Sequence, residues 1–146
     1  MLINEMLSKA IAITAKEFDG VLDKGGTPYI LHCIEVMNGV IHLGHEVMAA
    51  AVMHDLVEDT SWTFVQLIQE GFSEKIVSLV DLCTHRKGSD YLEYIGRIST
   101  NSEARAIKLA DLRHNMRPDR LVDLTDKSMA RMRKYHTAYQ FLTKLN

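Results

Sequence analysis

The sequence predicts an all-α fold, and three observations carry that expectation. Apolar residues recur at three- and four-residue steps through most of the chain, no segment alternates with period two, and the breaks fall at residues that cap or end helices. The 146 residues fit one domain, 1–146, large enough for a continuous core. A single helical bundle is the expected architecture.

The elements follow in order. Ile3 to Phe18 places Met6, Leu7, Ala10, Ile11 and Phe18 on one side of a helix, which Asp19-Gly20 breaks. Asp23-Lys24-Gly25-Gly26 is a polar loop with Lys24 as its one cation. Thr27 is the expected N-cap and Pro28 the first helical residue of a segment running from Tyr29 to Leu43. His32 lies in that segment between Leu31 and Cys33, and alone it reads as a core histidine bonded to a carbonyl. Gly44 separates it from a central helix, His45 to Val57. Thr60-Ser61 caps a short helix, Trp62 to Glu70, and Ser73 starts the next.

Thr84 to Ser89 is the most basic short loop, and it reads either as a solvated turn or, through Arg86 and Lys87, as an anion clamp. Asp90 caps Tyr91 to Ile98, and Thr100-Asn101-Ser102 opens the helix Glu103 to Met116. Pro118 ends that helix, Arg120 to Thr125 is a linker, and Asp126 to Leu145 is the last helix, basic through Arg131, Arg133 and Lys134.

Composition narrows the function classes. Apolar content of 47%, charged content of 25% and a net charge of -2 describe an ordinary globular protein. Without a basic surplus, no stable nucleic-acid complex is expected, although a local basic patch can hold a small anionic ligand. Cys33 and Cys83 have no Cys or His at finger-like spacing and are expected as buried free thiols. No apolar run approaches the ~18 residues that span a bilayer, and the N-terminus lacks a signal-peptide layout, so a cytoplasmic protein with no membrane partner is expected. The sequence does not indicate an oligomeric state.

The chemistry concentrates in Ala49 to Thr60, A-A-A-V-M-H-D-L-V-E-D-T. On a continuous helix His54 lies over Glu58 and Asp55 over Asp59, in columns about 100° apart. Burying such groups costs several kcal/mol per unpaired charge unless a partner, such as a divalent metal, compensates. The alternative is that Glu58 and Asp59 begin a solvated loop. Asp111, in I-K-L-A-D-L, is read as a ligand or a buried salt-bridge partner, with Lys108 and Arg113 as the exposed charges and Asn115 one turn later. His32, His54, Asp55 and Asp111 together offer nitrogen and oxygen donors suited to Mn, Fe, Zn or Mg. Such an ion makes a nucleophile of water and neutralises a phosphate oxygen, so phosphate-ester hydrolysis follows.

Three segments carry a family resemblance: G-T-P-Y-I-L-H ending at His32, H-D-L-V-E-D-T from His54, and K-L-A-D-L-R-H-N-M from Lys108. The chain resembles the HD-domain metal-dependent phosphohydrolases, above all the hydrolase domain of RelA/SpoT proteins and the small alarmone hydrolases. The resemblance implies a single compact HD-domain helical bundle in which His32, His54, Asp55 and Asp111 bind one divalent metal, usually Mn²⁺. It implies that Glu58 and Asp59 activate the attacking water and assist proton transfer, and that the 3′-pyrophosphate of guanosine tetra- or pentaphosphate is removed.

Lys24, Asn115, Arg131 and Tyr135 match substrate-binding positions of that family. Asp23 stands where the family usually has Arg, and Phe18 and Val21 stand at the positions of a common His and Gln. Arg86 and Lys87 would supply compensating cations. A synthetase activity is not expected. The rival readings are an HD phosphohydrolase for another nucleotide or a phosphorylated dinucleotide, a non-catalytic nucleotide-binding module, and a structural helical domain whose buried His and Asp groups pair with each other.

Overall fold

A computed structural model describes residues 1–144. Among them the chain forms α1 (Ile3–Glu17), α2 (Ile30–Asn38), α3 (His45–Val52), α4 (Leu56–Asp59), α5 (Phe64–Gln69), α6 (Glu74–Leu82), α7 (Tyr91–Ser99), α8 (Ser102–Asn115) and α9 (Asp126–Thr143), with 3₁₀ turns at Ile41–Leu43 and Pro118–Arg120. The starts are set by side chains that accept otherwise unpaired backbone N–H groups. Ser73 accepts from Ile76, Asp90 from Glu93, Asn101 from Glu103 and Ala104, and Thr125 from Ser128. The fifth helix starts at Phe64, later than expected, because Thr63 and Gln66 form a reciprocal capping box there.

The centre of the molecule is α3, whose residues Val47 to Val52 are all buried, with α1, α2, α6 and α8 packed around it. A helix apolar on all sides can only be a core element. α2 and α8 approach closely at Gly39, where an added Cβ would stand 2.7 Å from Ala110 Cβ. The absent side chain lets α2 carry His32 up to the segment of α8 that carries Asp111.

Three expectations are corrected. The central helix is not continuous to Val57: it stops at Val52, turns through Met53–Asp55 and resumes as α4. The cause is competition for the Ala51 carbonyl, which takes both the His54 backbone N–H at 3.2 Å and His54 Nδ1 at 2.8 Å, the latter a side-chain bond that competes with helical pairing. His54 is therefore not stacked over Glu58 on one helix.

Pro28 is not helical either. It pairs with Leu22 in an isolated antiparallel bridge, and α2 begins at Ile30. Asp23 builds that turn by accepting from the N–H groups of Gly25 and Thr27, both at 2.9 Å, with Gly26 at φ 82°. Lys108 is not an exposed charge: its side chain is 11% exposed, because Asp111 one turn along α8 draws its ammonium inward. The last helix is described to Thr143, and its expected end at Leu145 lies outside the described residues. Cys33 and Cys83 are buried and free. No described helix is long and apolar enough to cross a membrane.

Candidate metal centre

The turn after α3 delivers two adjacent residues, His54 and Asp55, to one point, while α2 contributes His32 and α8 contributes Asp111. His54 Nε2 lies 3.0 Å from Asp55 Oδ2 and 3.4 Å from Asp111 Oδ1; His32 Nε2 lies 3.0 Å from Asp111 Oδ1 and 3.6 Å from Asp55 Oδ2. Both imidazoles and Asp111 are buried. Donor atoms of His32, His54 and Asp55 all fall within 4.8 Å of one another, as do those of Asp55, Glu58 and Asp59.

Each ligand candidate is held from behind. His54 Nδ1 donates to the Ala51 carbonyl, which leaves Nε2 as the lone-pair atom facing two carboxylates. His32 Nδ1 meets His114 Nδ1 at 2.7 Å, and the two rings are stacked. Burial, then the nearby Arg120 guanidinium, pushes His114 down to about 4, so it is neutral and able to accept from His32. Asp55 Oδ2 accepts from the Tyr29 hydroxyl at 2.5 Å. Asp111 Oδ2 accepts from Lys108 at 2.8 Å, and its Oδ1 accepts from Asn115 Nδ2 at 2.9 Å. Burial alone would raise the Asp111 carboxyl; Lys108 and His54 outweigh it and hold the group well below the ordinary carboxylate range.

These residues fit a divalent cation. His54 Nε2 is buried and has no hydrogen-bond partner, because the atoms opposite it are themselves acceptors. Lone pair facing lone pair at 3.0 Å requires a proton or a cation between them. Donors held about 2.1 Å from an ion at right angles stand about 3.0 Å apart, the spacing seen on the shorter edges of this cluster. An all-nitrogen-and-oxygen set suits Mn, Fe, Zn or Mg.

Glu58 and Asp59 stand beside the cluster on α4. Burial, reinforced by the Asp55 charge, pushes Glu58 up to about 7 and Asp59 up to about 6. Glu58 Oε1 is aimed by the His85 backbone N–H at 2.7 Å. His114 is a neighbour of the site that sequence reasoning missed, and His85, expected only as part of the basic loop, acts through its backbone N–H. His114 lies in the A-D-L-R-H-N run already singled out, and its i+3 spacing from Asp111 was the available signal.

A cavity of about 520 Å³ opens beside the cluster, lined by Tyr29 and Asp59 on the metal side. It brings together Lys24, Asn115, Arg131 and Tyr135 from three parts of the chain, the last two one turn apart on α9. Burial and the neighbouring Arg131 and Lys127 charges lower the Lys24 ammonium. Asn115 is occupied on both ends of its amide, donating to Asp111 and accepting from Arg120 Nη1 at 3.0 Å. Arg86 and Lys87 do not line this cavity. Arg86 pairs with Asp81 at 2.6 Å and lies over the Phe64 ring, and Lys87 is exposed. Their loop reaches the site through the His85 backbone instead.

Comparison with known proteins agrees with this frame. A sequence profile of the HD domain matches residues 10–136. A guanosine-3′,5′-bis(diphosphate) 3′-pyrophosphohydrolase of Haemophilus influenzae is 32% identical over 68% of this chain and 16% of that protein. The Danio rerio guanosine-3′,5′-bis(diphosphate) 3′-pyrophosphohydrolase MESH1 is 35% identical over 65% of this chain and 57% of that protein. The chain spans between 10% and 19% of the length of the long curated relatives it matches. A solved structure described as a metazoan ortholog of SpoT that hydrolyzes ppGpp has the same fold, with a TM-score of 0.79 at 23% identity over 97% of this chain and 87% of that one. With a profile that runs from α1 into α9 and takes in all four residues of the cluster, the chain belongs to the HD domain family.

Proposed function

We propose that this chain is a metal-dependent phosphohydrolase that removes the 3′-pyrophosphate of guanosine tetra- or pentaphosphate, acting in the cytoplasm with Mn²⁺ as its metal. The observation that carries the reading is the buried, unpartnered Nε2 of His54 facing Asp55 and Asp111, with two carboxyls of raised pKa one turn beyond. His32, His54, Asp55 and Asp111 would hold the ion. Bound there, it supplies an activated water and charge compensation for a phosphate oxygen.

The chain's own groups do the rest. Glu58, poised near neutral pH by burial and kept in one orientation by His85, takes a proton from the water as general base. Asp59, at the cavity wall, is the group positioned to handle the second proton. Tyr29, Lys108, Asn115 and His114 hold the ligands in place, which keeps donor geometry fixed through turnover. Lys24 and Arg131 attract the remaining phosphates. The naming of two relatives as guanosine-3′,5′-bis(diphosphate) 3′-pyrophosphohydrolases supports the substrate.

The test is pyrophosphate release from guanosine tetraphosphate by the purified protein with Mn²⁺, beside ordinary nucleotides and an EDTA control. EDTA-sensitive release, lost in Glu58→Gln while Mn²⁺ still binds, is the expected result. Turnover of another nucleotide alone would keep the metal chemistry and move the substrate. No turnover of any would refute the enzyme reading.

A further inference from the structure

The cavity contains an ion pair that the hydrolytic chemistry does not use. Arg120 Nη2 donates to Asp23 Oδ2 at 3.1 Å, joining the 3₁₀ turn after α8 to the turn before α2; the two side chains are 18% and 13% exposed. Arg120 Nη1 donates to the His114 carbonyl at 3.3 Å and to Asn115 Oδ1 at 3.0 Å. Asp23 is fixed in turn by the N–H groups of Gly25 and Thr27. Burial pushes the Asp23 carboxyl up, but those two N–H groups and Arg120 outweigh it and hold it below the ordinary range. The guanidinium plane is thus held by three acceptors.

A guanidinium has five N–H donors, and these contacts use three. Nε–H and one Nη2–H have no partner among the described residues, and Arg120 lines the cavity. The same cavity is lined by Phe18, Val21, Leu22 and Val122, apolar walls suited to a flat ring. A phosphate at Arg120 would meet the Asp23 carboxylate, whereas Lys24 and Arg131 line the same cavity with no ion pair among the described residues and offer phosphates uncompensated cations.

We propose that Arg120 is a specificity-determining residue that reads the O6 and N7 acceptor edge of a guanine ring, with Asp23 as the positioning residue that holds it. This rests on the nucleotide reading above. Guanine presents two acceptors on that edge; adenine replaces one with an amino donor, which would face a donor.

The test uses Mn²⁺-loaded protein: binding of GDP and ADP by calorimetry, and kcat and KM for guanosine tetraphosphate and its adenosine counterpart. The wild-type chain should prefer guanine on the order of ten- to a hundredfold. Arg120→Lys, which keeps the charge and loses the planar fork, should abolish the preference, with the loss falling on Kd and KM of the guanine ligand more than on kcat. Asp23→Asn should reduce the ratio of GDP to ADP affinity partway, because the guanidinium loses the carboxylate that orients it.

Equal binding of GDP and ADP by the wild type would overturn the assignment, as would full preference in Arg120→Lys or an equal loss for both bases, the mark of a phosphate contact. Hydrolysis without base preference sinks Arg120 and leaves the activity standing. Base preference in binding without any turnover does the reverse. If Arg120→Lys fails to fold, the wild-type comparison of GDP with ADP and Asp23→Asn still decide the matter.

Discussion

Replacing Gly39 with alanine tests whether the close approach of α2 and α8 builds the centre. Gly39 has helical dihedrals, φ -65° and ψ -16°, so alanine brings no backbone strain. At an open helical position Gly→Ala gains roughly 0.5–1 kcal/mol. Gly96 in α7 is such a position, since an added Cβ meets nothing within 4 Å. At Gly39 the new Cβ falls 2.7 Å from Ala110 Cβ. Carbon contacts sit at about 3.5–4.0 Å, so the helices must part by roughly 1 Å, an overpacking cost of about 1–3 kcal/mol. Gly39→Ala should therefore lie about 1–3 kcal/mol below Gly96→Ala, a gap of roughly 3–12 °C in Tm. Asp111 follows Ala110, so the same displacement widens the 3.0 Å approach of His32 to Asp111 and weakens Mn²⁺ binding in Gly39→Ala alone. Scanning calorimetry on metal-free protein and titration with Mn²⁺ measure the two effects. If Gly39→Ala rises in Tm alongside Gly96→Ala with unchanged metal affinity, the close approach does not build the site.

Three further outcomes are expected. Lys108→Met removes the cation from a buried pair and should cost about 3–5 kcal/mol in urea denaturation of metal-free protein, less with Mn²⁺ present because the ion compensates Asp111; equal losses in both states would count against the pairing. Tyr91→Phe removes a buried hydroxyl that has no hydrogen-bond partner and should raise stability by roughly 1 kcal/mol, so a fall in Tm would show that the hydroxyl has a partner after all. The Asp23 carboxyl is held below its ordinary value, so its pairing stabilises the fold above the unfolded value of about 3.9 and that contribution is lost as pH falls through the lower folded value. The stability gap between wild type and Asp23→Asn should be constant from neutral pH to about 5 and close below about 4; a gap that persists undiminished in acid refutes the ionic pairing.

Local chemistry was legible in the sequence where it acts over a few residues. Ser73, Asp90 and Asn101 mark helix starts because a cap works within three positions, and the polar groups inside apolar helical periodicity point to His54, Asp55 and Asp111. What the sequence hid depends on distant partners. Nothing between Ala49 and Val57 is a Gly or Pro, so the turn at Met53–Asp55 had no punctuation; it arises from a side chain competing for one carbonyl. Lys108 looks like a surface lysine until the Tyr94 ring, 5.2 Å away, and Asp111 enclose it. The Asp23–Arg120 pair spans 97 residues, beyond the reach of any local pattern.

The turn at Met53–Asp55 sets the time scale on which the site can open. Irregular backbone usually lies at a surface, where it breathes independently of the rest of the molecule. Here Met53 and Leu56 are fully enclosed, His54 is 2% exposed and only Asp55 is partly open, so the turn has little solvent side from which to fray. Amide exchange at His54 and Leu56 should accordingly proceed only through global unfolding and match the slowest protons of α3, while the outer helices exchange sooner. The ligands would then be no more mobile than the core itself, and exchange of ions would have to occur through the cavity mouth.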